Sequence, residues 1–245
     1  MTKNALLFYG HLPQNCKKYG SQYNQYYSYG HWKQFVLNEN DNLDVFIHTW
    51  HASEDQIDNV KAIFDPKNIK NDVYVHDDAP RSSCLSMKIA NDMCNEYAKT
   101  HDITYEKVMI CRMDVVWFIP VCFDTMFDAS KFTVSYWGSG KNDENANRDF
   151  NRPYDNSPYY GTHDIFFVSN KENMDVLCSI YDCLDKYEKD VTCFVRHTLL
   201  RWHMKQTHLE SIVDFKIFIN NDMEIESRIY MTNNQNLLNK LKYLS

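Results

Sequence analysis

Glycine is scarce in this chain, with only six among 245 residues, and the glycine-rich motifs of several enzyme classes are absent. The sequence has no Gly-x-Gly-x-x-Gly, no Walker-type phosphate loop and no Gly-x-Ser-x-Gly. These absences argue against dinucleotide oxidoreductases, P-loop kinases and α/β-hydrolases. The eight cysteines include no Cys-x-x-Cys pair, and we interpret them as free thiols of a reducing compartment.

Long apolar runs and blocks of basic residues are also missing. The longest apolar run, 115–123, contains Pro120 and is far shorter than the roughly 20 residues that a membrane span needs. The apolar run at the start is too short for a signal peptide. The net charge is −7 with no basic cluster, which argues against nucleic-acid binding. We therefore expect a soluble cytoplasmic protein without a membrane span.

Strands and helices alternate along the sequence, which predicts an α/β fold with a mostly parallel sheet flanked by helices. The nearly unbroken apolar strand at 107–111 is typical of the middle of a parallel sheet. Ser82 or Ser83 is the expected cap of the clearest helix. A polar stretch at 138–160 is expected to be a binding loop or lid. We predict strands at 5–9, 44–48, 72–76, 107–111, 131–137, 164–169, 213–219 and 228–231, and helices at 19–37, 86–99, 171–187 and 193–206.

Polar side chains follow the first four predicted strands. In open α/β sheets, ligands bind beyond the carboxyl ends of the strands. The sequence therefore predicts a ligand site at this edge. Its candidate residues, in chain order, are Gly10, His11, His48, Thr49, Trp50, His76, Asp77, Asp78, Arg112 and Asp114.

Asp114 is the central candidate because it stands between two apolar runs, where an unpaired carboxylate is costly. It would form an ion pair with Arg112, bind a divalent metal, or bind a ligand hydroxyl. Asp77 and Asp78 would hold a ribose, a base or a metal, or form a solvated turn before Pro80. Asp164 begins a buried strand, and is either a general base or a simple strand start.

Four short blocks resemble a group of small glycosyltransferases from large DNA viruses and bacterial surface-polysaccharide clusters, which is similar to the GT-A fold. The blocks, in order, are Gly10-His11-Leu12 after the first strand, Asp44-Val45-Phe46-Ile47-His48-Thr49-Trp50, Val108-Met109-Ile110-Cys111-Arg112-Met113-Asp114, and His163-Asp164-Ile165-Phe166-Phe167-Val168-Ser169. The resemblance implies one glycosyltransferase domain over 1–245. Its nucleotide-sugar-binding half would be about 1–120 and its acceptor half about 121–245.

The resemblance also implies roles for particular residues. Asp114 would bind Mn²⁺ or Mg²⁺, or the ribose, while His163 and Asp164 would face a glycan or glycoprotein acceptor. Charge on the leaving diphosphate would be stabilised by the metal, Arg112 or Lys88, with Asp164 as base. If the protein is viral, it would work in the host cytoplasm. The alternatives are a nucleotide- or sugar-binding module without turnover, and a metal-dependent phosphohydrolase that uses Asp77, Asp78 and Asp114.

Overall fold

The computed structural model describes residues 2–12, 26–136, 162–191, 193–219, 222–225 and 236. Its strands are β1 (Thr2–Tyr9), β2 (Leu43–Trp50), β3 (Asn68–Asp72), β4 (Thr104–Arg112), β5 (Val115–Trp117), β6 (Phe132–Tyr136), β7 (Phe166–Ser169), β8 (Val213–Phe218) and β9 (Met223–Ile225). Seven of them form one sheet in the order β3-β2-β1-β4-β7-β6-β8, and β5 pairs with β9. Strands β1 to β4 are parallel, and β7 is antiparallel to both β4 and β6. The predicted α/β fold with a mostly parallel sheet is confirmed.

Helices cover both faces of this sheet. They are α1 (Tyr26–Phe35), α2 (Glu54–Phe64), α3 (Ala79–His101), α4 (Phe123–Met126), α5 (Lys171–Cys178), α6 (Ile180–Asp190) and α7 (Arg196–Gln206). In the part of the chain that the structure describes, no helix combines the length and apolar character that crossing a membrane requires. The cysteines described there are all free thiols, as predicted.

The central strands are buried on both sides because successive side chains point to opposite faces. On β1, the Phe8 ring lies edge-on to Trp32 of α1 and to Phe64 of α2, with centroids 4.7 and 5.2 Å apart. Its neighbour Leu7 belongs to the other apolar cluster, which includes Met87 of α3. This two-sided burial explains why β1 and β4 carry uninterrupted apolar runs, as the sequence indicated.

The start of α3 differs from the prediction. Asp78 is the N-cap, and its carboxylate accepts a hydrogen bond from the backbone N–H of Arg81 at 2.6 Å. Ser82 and Ser83, the predicted caps, are buried inside the helix. The pattern Asp78-Ala79-Pro80 contains the correct signal, since an acidic cap followed by proline in the first turn is a typical helix start. The prediction was wrong because it began the helix at its apolar stripe.

The third strand also lies elsewhere than predicted. It ends at Asp72 instead of beginning there, and Val73 and Val75 are 68% and 69% exposed. Strand β3 is at an edge of the sheet and pairs only with β2. An edge strand tolerates polar residues such as Lys70. Val73 and Val75 alternate as in a strand, but they follow β3 and pair with no strand of the described residues. His76, Asp77 and Asp78 therefore do not mark a strand end.

The remaining boundaries agree with the predictions in part. The helix predicted at 171–187 is divided into α5 and α6 at Ser179, and the one predicted at 193–206 begins at Arg196. Strand β7 begins two residues after Asp164. The predicted strand at 228–231 and the predicted loop at 138–160 lie outside the described residues, as does the first part of the helix predicted at 19–37.

Candidate active site

The carboxyl ends of β1, β2 and β4 meet at one edge of the sheet because the three strands are parallel. Tyr9, the last residue of β1, is in register with Arg112, the last residue of β4. The Tyr9 hydroxyl donates a hydrogen bond to the carbonyl of Asp164, and the backbone N–H of Arg112 donates to the carbonyl of Ile165 at 3.0 Å. The segment before β7 is thereby fixed beside the ends of β1 and β4.

Arg112 and Asp114 form the ion pair that was one of the predicted alternatives. Arg112 Nε donates to Asp114 Oδ1 at 3.0 Å, and Arg112 Nη2 donates to Oδ2 at 2.6 Å. This two-point pairing fixes the plane of the guanidinium. The side chains are 24% and 25% exposed, so both can still be reached from solution.

The described residues do not fit the predicted Mn²⁺ or Mg²⁺ site. Both carboxylate oxygens of Asp114 already bind Arg112. Within the described ranges, no group of three or more histidine, cysteine, aspartate or glutamate side chains is placed to hold a metal ion. Such cations take one or two carboxylates with further oxygen ligands, and here a competing guanidinium occupies the single carboxylate.

Asp164 is the anionic centre of this site and is only 2% exposed. Its Oδ2 lies 2.8 Å from Arg196 Nη2 and 3.9 Å from Arg112 Nη1, and its Oδ1 lies 3.6 Å from His197 Nδ1. Burial raises the pKa of the Asp164 carboxyl, but Arg196, Arg112 and His197 more than offset this, so the pKa is lowered below its usual value. Asp164 is thus a stable carboxylate that two arginines share.

His197 is held in one orientation at the start of α7. Its Nδ1 lies 2.9 Å from the carbonyl of Thr162, which can only accept a hydrogen bond, so Nδ1 carries the proton. In the neutral ring the lone pair is then on Nε2. The side chain is 35% exposed. His163, the other predicted catalytic residue, is only 4% exposed, and its ring centroid lies 6.4 Å from that of His197.

The backbone just after β1 turns sharply at Gly10, whose φ of 95° favours glycine. Apart from its two chain neighbours, no described residue has a heavy atom within 4 Å of the position a Cβ would take there. The Gly10 N–H donates to Ser86 Oγ at 2.8 Å, and the Leu12 N–H donates to Thr49 Oγ1 at 3.3 Å. Thr49 therefore supports this loop from a buried position.

Aromatic rings line the ends of β2 and β3. His48 and Trp50, both predicted to bind the donor, are only 1% and 2% exposed. Trp50 stacks on Tyr74 with ring centroids 5.2 Å apart, and the Tyr74 hydroxyl hydrogen-bonds to exposed His11. Tyr74 is 42% exposed, so the accessible aromatic surface here belongs to Tyr74 and not to buried Trp50.

Two predicted donor contacts, Lys88 and Asp78, are engaged elsewhere. Lys88 pairs with Asp182 on α6 at 3.0 Å. Ser86, two residues earlier on the same helix, faces β1. Two residues correspond to about 200° around the helix axis, so Lys88 points away from β1. Asp78 caps α3 and pairs with Arg81 at 3.1 Å. Asp77 is exposed beside that cap.

Four site residues were not identified from the sequence: Tyr74, Ser86, Arg196 and His197. The adjacent basic pair at 196–197 was a usable signal, because it opens a helix that follows a segment already assigned to the acceptor side. Nothing in the sequence brings Ser86 to the β1 loop, since their hydrogen bond joins residues 76 positions apart.

Comparisons with known proteins show only distant structural likeness. The sequence matches no family model and no curated protein. A proposed nucleotide-diphospho-sugar transferase from Desulfovibrio desulfuricans G20 is similar over 96% of this chain and 89% of its own, with 12% identity and a TM-score of 0.49. The glycosyltransferase GlyE of Streptococcus pneumoniae TIGR4 is similar over 88% of this chain and 45% of its own, with 10% identity and a TM-score of 0.49. At such values the likeness carries no inference about activity, which must come from the site.

Proposed function

We propose that this protein is a glycosyltransferase that moves a sugar from a nucleotide-sugar donor to a hydroxyl group of a glycan or glycoprotein. The observation that carries the proposal is the pair of arginines held at the strand ends. Arg112 and Arg196 come from β4 and α7, and both lie against the buried carboxylate of Asp164. Two fixed guanidinium groups beside a glycine turn are suited to a diphosphate.

The donor capacity of Arg112 supports this role. A guanidinium has five N–H groups, and the pair with Asp114 uses one on Nε and one on Nη2. Nη1 lies 3.9 Å from Asp164 Oδ2, beyond hydrogen-bond distance, and the guanidinium forms no further hydrogen bond with the described residues. At a side chain that is 24% exposed, its remaining N–H groups can bind phosphate oxygens. When the sugar–phosphate bond breaks, negative charge grows on the leaving diphosphate, and fixed cations stabilise it without reorganising. No step through a metal ion is needed for this part of the mechanism.

The exposed aromatic surface is suited to the other parts of the donor. Tyr74 rests on buried Trp50, and His11 lies edge-on to it with ring centroids 5.2 Å apart. A supported aromatic ring stacks on nucleobases and on the apolar faces of sugars. We place the nucleoside there, with the diphosphate toward Arg112 and Arg196.

Deprotonation of the acceptor is assigned to His197 instead of Asp164. A general base works best when its pKa lies near the working pH. The pKa of Asp164 is lowered by its two arginines, which makes its carboxylate a weak base. His197 has the proton on Nδ1, directed at Thr162 and Asp164, so its Nε2 is the nitrogen able to accept a proton. Asp164 then acts as a positioning residue for His197 and both arginines.

A screen of nucleotide sugars tests the proposal. A ligand that binds only the folded state raises thermal stability, so one nucleotide sugar should raise Tm and then release its nucleoside diphosphate. If a nucleotide sugar binds but no nucleoside diphosphate is released with any acceptor, the protein would be a binding module. Phosphate release from simple phosphoesters would favour the phosphohydrolase, although Asp78 caps α3 and Asp114 pairs with Arg112.

A further inference from the structure

A chain of hydrogen bonds connects the loop after β1 to the edge strand β3 through the protein interior. The Gly10 N–H donates to Ser86 Oγ at 2.8 Å, and Ser86 Oγ lies 2.6 Å from His48 Nδ1. His48 Nε2 lies 3.3 Å from Asp72 Oδ2. Ser86 is 0% exposed and His48 is 1% exposed, so the hydrogen bond between their side chains is shielded from water.

The chemistry of the groups fixes where each proton lies. Ionised Asp72 can only accept, so His48 Nε2 must carry a hydrogen. Burial lowers the pKa of His48 to about 4, so the ring is neutral at pH 7 and Nδ1 is an acceptor. Ser86 then donates its single hydrogen to Nδ1 while its oxygen accepts from Gly10. Every member of the chain is satisfied in this one arrangement.

This arrangement also excludes a nucleophilic role for the serine. A serine, a histidine and an aspartate in hydrogen-bond contact suggest a hydrolase triad. Here Ser86 lies within α3 without solvent exposure, and its oxygen accepts the N–H of Gly10. The solvent-facing end of these hydrogen bonds is the aspartate, whose side chain is 32% exposed and also pairs with Lys70 at 3.0 Å. The hydrogen bonds from Asp72 through His48 and Ser86 therefore end at the backbone of Gly10, whose conformation they can fix.

We propose that Ser86, His48 and Asp72 are positioning residues that hold Gly10 and His11 in the conformation that binds the donor. Only the identity of the bound molecule rests on the proposed function. Gly10 has a φ of 95°, and its N–H donates to Ser86 Oγ at 2.8 Å, so this contact holds the turn at its sharpest point. The next anchor along the loop, from Leu12 to Thr49, is longer at 3.3 Å.

The first test measures the anchor itself and requires no activity. Nitrogen chemical shifts of His48 in the full-length wild-type protein should show a neutral ring protonated on Nε2. In Ser86→Ala, hydrogen exchange at the Gly10 amide should accelerate at least tenfold. Alanine is the better helix former, so weakened α3 propensity would not explain this result. Ser169→Ala is the matched control, because Ser169 is also buried but is paired with Val108, four residues before the end of β4.

Two substitutions of His48 separate positioning from packing. Asparagine places an oxygen near the Nδ1 position and can accept from Ser86, whereas glutamine reaches the Nε2 position and can donate to Asp72. His48→Asn should keep slow exchange at Gly10, and His48→Gln should not. If both variants exchange as slowly as the wild type, or if His48 is protonated on Nδ1 alone, the proposal is overturned. This comparison decides the matter even if Ser86→Ala does not fold.

Kinetics extend the test to the donor. A loop that contacts the donor equally in the ground and transition states affects KM without changing kcat. Ser86→Ala should raise the KM for the nucleotide sugar about tenfold and leave kcat within about twofold. The KM of His48→Asn should lie closer to the wild-type value than the KM of His48→Gln. An unchanged KM alongside fast exchange at Gly10 would overturn the donor role. If the wild type turns over no nucleotide sugar, the proposed function fails, while exchange and tautomer still decide the positioning role.

Discussion

Replacing Asp164 with asparagine removes the charge that two arginines share while keeping the side-chain shape. Breaking a buried ion pair typically costs about 3–5 kcal/mol, because the remaining charge is left without a partner. Here Arg112 keeps Asp114, and Arg196 is 31% exposed and keeps a hydrogen bond to Ser83 at 3.2 Å. We therefore expect Asp164→Asn to lower the free energy of unfolding by about 2–3 kcal/mol at pH 7.

The pH dependence of this loss has a definite sign. The folded-state pKa of Asp164 is lowered from 3.8, so its contribution is present above that value and is lost as the pH falls through the folded pKa. The difference between the wild type and the variant should thus shrink as the pH falls below about 3.8.

Urea unfolding followed by circular dichroism at several pH values measures the effect. Asp185→Asn is the matched control, because Asp185 also pairs with an arginine, Arg81, but its side chain is 95% exposed. The control should change stability by less than about 0.5 kcal/mol. A variant Asp164→Asn that is as stable as the wild type at pH 7 would refute the central placement of this carboxylate.

Three further predictions concern single groups of the site. The pKa of His48 falls from 6.5 to about 4 on folding, so the contribution of neutral His48 to stability should be complete above pH 6.5 and decline by about 3 kcal/mol toward pH 4; His48→Asn should remove this part of the decline in urea titrations. His197→Gln should lower kcat at least about 100-fold while the variant stays folded by circular dichroism; a folded variant with wild-type kcat would remove His197 as the base. Tyr74→Ala should weaken donor binding about tenfold in calorimetry with little change in Tm, since the ring is 42% exposed, and an unchanged Kd would remove Tyr74 from the site.

The sequence predicted the fold well wherever burial on both faces imposed a continuous apolar pattern. Strands β1 and β4 were predictable for this reason, and their parallel pairing brings Arg112 to the end of β1. Strand β3 was misplaced because an edge strand pairs on one side only and carries polar residues, while Val73 and Val75 imitate a strand from an exposed loop.

The site was predictable where its residues follow strand ends, and less so where helices supply them. The ion pair of Arg112 and Asp114 links residues two positions apart and was considered in advance. The approach of Arg196 to Asp164 depends on how α7 packs against the sheet, which local pattern does not determine. For Lys88, helical periodicity alone would have shown that it lies nearly opposite Ser86 on α3.

Release of nucleoside diphosphate from a nucleotide sugar, compared between the wild type and Asp114→Ala, tests the central claim most directly. Asp114 fixes the plane of Arg112 through two hydrogen bonds, so its loss should lower turnover about 100-fold, equivalent to about 2.7 kcal/mol of transition-state stabilisation. Asp182→Ala is the control, because that carboxylate pairs with Lys88 on the outer side of α3 and should leave turnover unchanged. Equal turnover in a folded Asp114→Ala variant and in the wild type would contradict the account.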